Sequence, residues 1–273
     1  MTNSNIAIKL QNIHQSYYEK DVLVGLDLQL EKGQTIGIVG KNGAGKSTIL
    51  KIIAGYISKF DGIYVQNIKT FSALIENPIF IDGLSGLENI KYILNKKEYD
   101  IAISFAQQFG LLDYIDKSVR KYSMGMKQKL AIAIVFSRDA ELYLLDEPFN
   151  SIDYETATKL IDIINSKRML GVSTIVVTHN MSRIEEYCDN IFQLKDGILK
   201  TKETMDHSEI QHKKYLLKFA SVEALEFAKS ILSEFAIFES EISNCIIVKS
   251  TVDNVGTILK KLADHSLIGL TEI

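Results

Sequence analysis

Only two cysteines, Cys188 and Cys245, and two prolines, Pro78 and Pro148, occur in the 273 residues. Two isolated cysteines cannot build a disulfide framework, and no CxxC pair points to a metal site. Prolines this scarce mark special backbone positions where they do occur. Long apolar runs are missing as well. The longest uninterrupted one is Leu130 to Phe136, far below the roughly 18 residues that span a bilayer. The start, Met1 to Ile8, is polar and has no signal-peptide core. A cytoplasmic chain without a membrane helix is therefore expected. The net charge is only −3, so no bulk basic field draws the chain to nucleic acid. What is present is ordinary globular composition, 46% hydrophobic and 24% charged, enough to bury a sizeable core. The length allows one large domain or two smaller ones.

Asn5 to Leu10 alternates and reads as a strand; so does Val22 to Leu30, which ends at the turn Glu31-Lys32-Gly33. Gln34 to Val39 is a short apolar strand. A glycine-rich turn, Gly40 to Gly45, follows. Lys46 to Gly55 then has helical spacing through Ile49, Leu50, Ile53 and Ala54. Leu142 to Leu145 and Thr174 to Val177 read as buried strands, and Tyr154 to Arg168 as a helix between them. Strands alternating with helices imply a parallel sheet covered on both faces. Asp196-Gly197 between Ile191 to Leu194 and Ile198 to Lys202 signals a hairpin.

Residues 205 to 213 break the apolar periodicity, and a domain boundary is placed there. Beyond it, Tyr215 to Phe219, Ala236 to Glu241, Cys245 to Lys249 and Ile268 to Ile273 read as strands. Val222 to Phe235 and Val252 to Leu262 read as helices. The order βαββαβ suggests a small split-βαβ sandwich.

Gly40-Lys41-Asn42-Gly43-Ala44-Gly45-Lys46-Ser47 satisfies GxxxxGK[ST] between a strand and a helix, the context that motif requires. Its glycines let backbone N–H groups converge on phosphate oxygens, and the helix start adds positive potential. Lys46 is expected to reach the β- and γ-phosphates, Ser47 to hold Mg²⁺, and Thr48 to bond the α-phosphate. Leu142 to Leu145 ends in Asp146-Glu147-Pro148. Asp146 at a strand tip can orient Mg²⁺, and Glu147 can orient or deprotonate an attacking water. His179 follows another buried strand. If that strand neighbours the Asp146 strand, His179 reaches a γ-phosphate; otherwise a lone histidine is structural.

With these motifs in this order, the chain resembles the ATP-binding cassette (ABC) family, in particular the ATPase subunits of ABC transporters. The resemblance covers residues 5 to about 203. It implies an ABC-type P-loop nucleotide-binding α/β domain, a RecA-like core with antiparallel β and helical subdomains, over 1–204. The helical subdomain is placed at about 80–135, and the accessory α+β unit at 210–273. Tyr17 matches the aromatic that stacks on adenine. Ser123-Met124-Gly125-Met126-Lys127-Gln128 matches the signature segment, Asn150-Ser151-Ile152-Asp153 the D-loop, and His179 the switch histidine. The resemblance implies ATP and Mg²⁺ as cofactors, a permease embedded in the membrane, and two cassettes packed head to tail. Ser123 and the Gly125 N–H would then meet the γ-phosphate held by the other copy. Taken alone, Ser-Met-Gly-Met is an unremarkable helix N-cap.

Two positions depart from the family pattern. The usual Leu-Ser-Gly-Gly-Gln is Tyr122-Ser123-Met124-Gly125-Met126 here, so the side chain at 124 must point away from the nucleotide. Glu76 stands where most members have Gln, followed by Pro78, which disfavours helix at Asn77. Both features resemble the bacitracin-resistance and lantibiotic-immunity branch. Glu76 is thus a candidate Mg²⁺ contact and coupling residue. The resulting expectation is an ATPase energising an exporter of an antimicrobial peptide. Drug, lipid or ion export and a soluble regulatory ATPase acting through the C-terminal unit are the alternatives. One cassette without sustained heptads argues against the mechanical ATPases of ribosome or chromosome. The C-terminal unit carries no chemistry and reads as an interaction or dimer-stabilising domain, or more sharply as a ligand sensor.

Overall fold

In the computed structural model the chain divides into two compact units, Met1–Met205 and Asp206–Ile273. The structure describes residues 5–18, 20–76, 78–181, 184, 185, 187–201, 212–219, 221, 224, 225, 228, 237–242, 245–251 and 267–272.

The first unit opens with β1 (Ile6–Tyr17) and β2 (Lys20–Glu31), an antiparallel pair. β1 runs well beyond Leu10, where the alternation stops in the sequence. Asn12 takes a φ of 48° and the register shifts around it. A bulge of this kind carries the polar stretch Gln11 to Ser16 onward as strand, which hides it from a period-2 reading. β3 (Thr35–Val39) leads into α1 (Lys46–Ile53). β4 (Asp61–Gln66) then adds to the other edge of β1, a strand not read from the sequence. β5 (Phe71–Leu74) precedes the helical stretch, which holds α2 (Gly86–Ile93), α3 (Lys96–Gln108) and α4 (Met124–Ser137). The chain returns through β6 (Leu142–Asp146), α5 (Tyr154–Met169) and β7 (Ser173–Thr178), and this unit's last strands are β8 (Asn190–Lys195) and β9 (Ile198–Thr201).

The central sheet has the order β5-β6-β7-β3-β8-β9. Every neighbour pair is parallel except the final β8–β9 hairpin. Alternate residues of its strands enter opposite cores, as the pleat demands. Leu142 and Leu144 pack with Ile36, Ile38, Ile175 and α1 on one face. Tyr143 and Leu145 pack with Val176 and Leu160 on the other. Helix α4 is apolar around most of its circumference because it lies between two cores. Leu130 and Ile134 belong to the cluster formed with α2 and α3, while Ile132, Val135 and Phe136 belong to the sheet cluster. That is the burial pattern of an interior helix, and it ties the helical stretch to the sheet.

In the second unit, β10 (His212–Phe219), β11 (Ile237–Ile242), β12 (Cys245–Thr251) and β13 (Leu267–Glu272) form an antiparallel sheet of order β11-β12-β10-β13. Leu217, Phe219, Leu225 and Ala228 are fully buried. The helix expected over 252–262 lies outside the described residues, as does most of that over 222–235 and most of the boundary stretch 205–213.

Side chains cap four of the five α-helices described in the first unit. Ser85, Asn95, Ser123 and Asp153 each accept from a backbone N–H of the first turn. Asp153 does more than cap. It accepts from the N–H and hydroxyl of Thr156 at 2.9 and 2.8 Å and pairs with Lys129. Partial burial works against its charge, but Lys129 and Thr156 outweigh that and hold the carboxyl well below the usual carboxylate range. A depressed folded-state pKa means that this stabilisation is complete above the unfolded value, about 3.9. It is lost as pH falls from there towards the folded-state value. Asp153→Asn keeps a capping oxygen but removes the charge. The variant is expected to be less stable than the wild type at pH 7, and the gap should close below about pH 4, where the wild type's melting temperature falls more steeply. Thermal unfolding across pH 2–7 measures the difference.

Candidate functional site

The parallel register aligns three strand ends. Val39 pairs with Thr178, and Asp146 pairs with Val177. Gly40, Glu147 and His179 therefore leave the sheet at one edge. A cavity of about 310 Å³ opens there. Asn42, Gly43, Gly45, Lys46, Ser47 and Thr48 line one side; Tyr17 and Val22, then Asp146 and Glu147, complete it.

Helix α1 is the exception among the capped helices. Its N-cap is Gly45 at φ 104°, no side chain accepts from its first turn, and that turn holds no acidic residue. Its orphan N–H groups are therefore free to bond an anion, with the helix dipole in support. Gly45 must be glycine on two counts. Its φ is left-handed, and a Cβ would lie 2.8 Å from Val22 Cγ1.

Lys46 is 6% exposed. Its Nζ donates to the carbonyls of Gly40 and Lys41 at 2.7 and 3.2 Å and lies 3.7 Å from Glu147 Oε1. A buried ammonium needs such partners. Burial pushes the Asp146 carboxyl above its ordinary range, against the pull of the Ser47 hydroxyl and the Glu76 N–H that donate to it. Glu147 stands at φ 47°, rare for a residue with a side chain. Thr178 Oγ1 donates to its Oε2 at 2.9 Å, and His179 Nδ1 lies 2.9 Å from its Oε1. Thr178 Oγ1 itself accepts from the Asn180 N–H. The threonine proton is thus directed at Glu147, which must be an acceptor on that oxygen.

A second cavity of about 460 Å³ shares Ser47, Asp146 and Glu147 with the first. Glu76, Met124, Gln128 and Ser151 face it. Glu76 stands at φ 63°, with its carboxylate paired to Lys51 on α1. That contact raises the Lys51 pKa, against partial desolvation. Asn77, where Pro78 was expected to keep the loop extended, lies outside the described residues. Met124 turns into its own chain's cavity and is half exposed.

The structure thus gathers Tyr17, Asn42, Gly43, Gly45, Lys46, Ser47, Thr48, Asp146 and Glu147 at one cavity, with Glu76 facing the second beside it. Gly40, Ala44, Ser123, Gly125, Asp153 and His179 line neither cavity. Ser123 caps α4 through Met126 N–H at 3.2 Å, and Gly125 abuts the Ser151 backbone. Three contributing residues were given no role of their own from the sequence: Thr178, Lys51 and Gln128. Thr178 had a local signal in its place between a buried strand and His179, and Gln128 in its place at the end of the signature segment; Lys51 had none.

For Mg²⁺ the donor set is two oxygens, the Ser47 hydroxyl and the Asp146 carboxylate. No group of three His, Cys, Asp or Glu side chains fit to hold a metal occurs among the described residues. Two protein oxygens suit an ion whose other ligands are phosphate and water, so the residues fit a metal that arrives with its nucleotide.

The sequence profile of the ABC transporter family matches residues 23–150. The chain is similar to the lantibiotic transport ATP-binding protein SrtF of Streptococcus pyogenes, 31% identical over 213 residues, covering 74% of this chain and 93% of that one. It is also similar to the uncharacterized ABC transporter ATP-binding protein YdbJ of Bacillus subtilis, 25% identical over 275 residues, covering 95% and 88%. Among solved structures, an ATP-binding subunit of an ABC transporter superposes with a TM-score of 0.66 at 25% identity, covering 72% of this chain and 90% of its own.

Gly40 and Gly43 separate packing from ligand contact. A Cβ at Gly40 would lie 2.6 Å from the Leu194 carbonyl oxygen, whereas one at Gly43 would meet nothing within 4 Å. Gly40→Ala is expected to destabilise the fold by about 1–3 kcal/mol. Gly43→Ala should cost about 1 kcal/mol for its left-handed φ and act mainly on nucleotide affinity. Denaturant unfolding and nucleotide titration of both variants check this.

Proposed function

The chain belongs to the ATP-binding proteins of the ABC transporter family, and we propose that it energises a membrane exporter of an antimicrobial peptide. It is an ATPase whose hydrolysis is coupled to transport. One observation carries the mechanistic reading: an uncapped helix start, a buried lysine and a carboxylate fixed by Thr178 and His179 converge on one cavity.

The roles follow from where each group sits. Tyr17 is 42% exposed at the cavity rim and stacks on the adenine. The N–H groups from Gly40 through Gly45, with Asn42, Gly43 and Ala44 forming the turn, cradle the phosphates. Thr48 bonds the α-phosphate. Lys46 transfers its ammonium from the Gly40 and Lys41 carbonyls to the β- and γ-phosphates, a charge-assisted exchange. Ser47 and Asp146 would hold Mg²⁺, which would supply neutralising charge for the phosphate oxygens. Glu147 orients the attacking water and accepts its proton. Thr178 occupies Oε2 as a donor, so the water meets Oε1 beside His179 once Lys46 has moved to the phosphates. His179, on the same oxygen, is placed to follow the γ-phosphate.

This reading takes residues 1–204 as the cassette, with the helical subdomain over about 80–135. The donors converge from one side only. Two copies therefore pair, and Ser123 and Gly125 of one copy complete the phosphate site of the other. Asp153 anchors the D-loop at that junction. A permease receives the motion, which places the chain at the inner face of the membrane; no described helix is long and apolar enough to cross one. The peptide substrate is supported by Glu76, by the Tyr122-Ser123-x-Gly125-Met126-Lys127-Gln128 pattern and by the likeness to SrtF. Glu76, paired with Lys51 in this structure, would add a third oxygen near Mg²⁺ if that pair opened, and it couples the site to the permease. Residues 210–273 form a split-βαβ accessory domain, a reading supported by the antiparallel order β11-β12-β10-β13.

Lys46→Ala is expected to lose most γ-phosphate affinity and hydrolysis. Glu147→Gln should still bind ATP, hydrolyse it about 10²–10⁴-fold more slowly and accumulate as a dimer in size-exclusion runs with ATP. Wild-type phosphate release from Glu147→Gln sinks the assignment of the base.

Glu76→Gln and Glu76→Ala should each uncouple peptide export from hydrolysis when assayed with the permease in vesicles. Full transport by both would remove the coupling role. Deleting the chain should sensitise cells to a lantibiotic; unchanged sensitivity, with increased sensitivity to another drug, would redirect the substrate.

A further inference from the structure

Gln128 lies near the start of α4 and is 6% exposed. Its Nε2 donates to two successive carbonyls, Glu147 at 3.4 Å and Pro148 at 3.2 Å. This is the backbone that most needs an outside hold. Glu147 takes a left-handed φ of 47°, a conformation that persists only where surrounding contacts impose it. Pro148 has no N–H with which to anchor the turn. The Asn150 N–H closes on the Glu147 carbonyl at 3.1 Å. Gln128 is the side chain that reaches in from another element.

Neighbouring contacts run the same way. Lys129 pairs with Asp153, and a Cβ on Gly125 would lie 2.3 Å from the Ser151 carbonyl oxygen. Residues 125, 128 and 129 of one helix thus seat the segment 147–153 along its length. Thr178 and His179 fix the Glu147 side chain from β7. Its main chain is fixed from α4.

We propose that Gln128 is a positioning residue for ATP hydrolysis: its amide holds the Glu147–Pro148 backbone in the conformation that aims the Glu147 carboxylate. A consequence concerns α4 as a whole. Ser123 and Gly125, the groups offered to the other copy, share a rigid helix start with the residue that holds this chain's own carboxylate. Engagement of α4 with a second copy is thereby felt at Glu147 of the same chain.

The inference rests on Glu147 as the hydrolytic carboxylate, and the test separates the two. In the purified full chain, Gln128→Met keeps the length and removes both donors. It is expected to lower kcat about tenfold while KM for ATP and the melting temperature stay near wild type. Gln128→Glu keeps the shape but turns acceptors towards two carbonyls, and kcat should fall further. A packing role predicts the opposite order, because Glu matches the shape of Gln more closely than Met does. That opposite order, a Gln128→Met kcat within twofold of wild type, or melting losses in both variants without a change in kcat would overturn the proposal. Adding Gln128→Met to Glu147→Gln should cost nothing more, since both act through one group; a further tenfold loss counts against it. Wild-type hydrolysis by Glu147→Gln removes the base assignment itself. Lost hydrolysis there with unimpaired Gln128→Met removes only the positioning role.

Discussion

The parallel register of β3, β7 and β6 sets the height at which every site side chain leaves the sheet. Val39 lies opposite Thr178 and Asp146 opposite Val177. A slip of one residue in either pair would turn an inward side chain outward and break the alternation that buries both faces. The site's geometry is thus fixed by the same hydrogen bonds and the same two apolar cores that hold the fold. Glu147 N–H still bonds to the Val177 carbonyl at 2.9 Å, one step past the strand end. The backbone then turns sharply into its positive φ, and the carboxylate comes back over the β7 tip to meet Thr178 and His179.

Charge balance follows from that arrangement. Lys46 is buried beside two carboxylates, Asp146 and Glu147, with carbonyl oxygens completing its shell. An unpaired ammonium at this depth would be costly. Gly40 and Lys41 therefore have a second duty beyond shaping the loop: they hold the lysine in place. The uncapped start of α1 is the counterpart. Four helices spend a side chain on their orphan N–H groups, and the one that faces the cavity does not. Leaving donors unmet is unfavourable for a helix alone and favourable for a helix that binds an anion.

Much of this arrangement was legible in the sequence, and the legible part has a common character. The phosphate loop is local: strand, glycines and helix start lie within a few residues, so spacing alone dictates its form. The buried strands ending at Asp146 and Thr178 were visible as short apolar runs. What escaped was contact between distant segments. Gln128 meets Glu147, Lys51 meets Glu76 and Lys129 meets Asp153 only because α4, α1 and the post-β6 segment are packed side by side. No periodicity encodes those meetings. The left-handed φ at Glu147, Ser151 and Glu76 was equally hidden, because none of these is a glycine. β4 and the far half of β1 escaped for another reason. They carry exposed or bulged positions, so their alternation is blurred.

Helix α4 joins these threads. Its apolar circumference is explained by two cores rather than by one, since Leu130 and Ile134 face α2 and α3 while Val135 and Phe136 face the sheet. A helix packed on both sides moves as a body, because close-packed interiors transmit displacement rather than absorb it. Its first turns carry Ser123 as a cap, Gly125 against Ser151, and Gln128 on the Glu147 and Pro148 carbonyls. A shift of α4 relative to the sheet must therefore be paid out at those contacts before it reaches the apolar interior. The contacts at the mouth of the site are the Gln128 hydrogen bonds, the Lys129–Asp153 ion pair and one tight glycine approach, so a displacement of α4 is passed directly to the segment 147–153. That junction lies next to the Glu147 carboxylate proposed as the base, where a small displacement has the greatest effect on geometry.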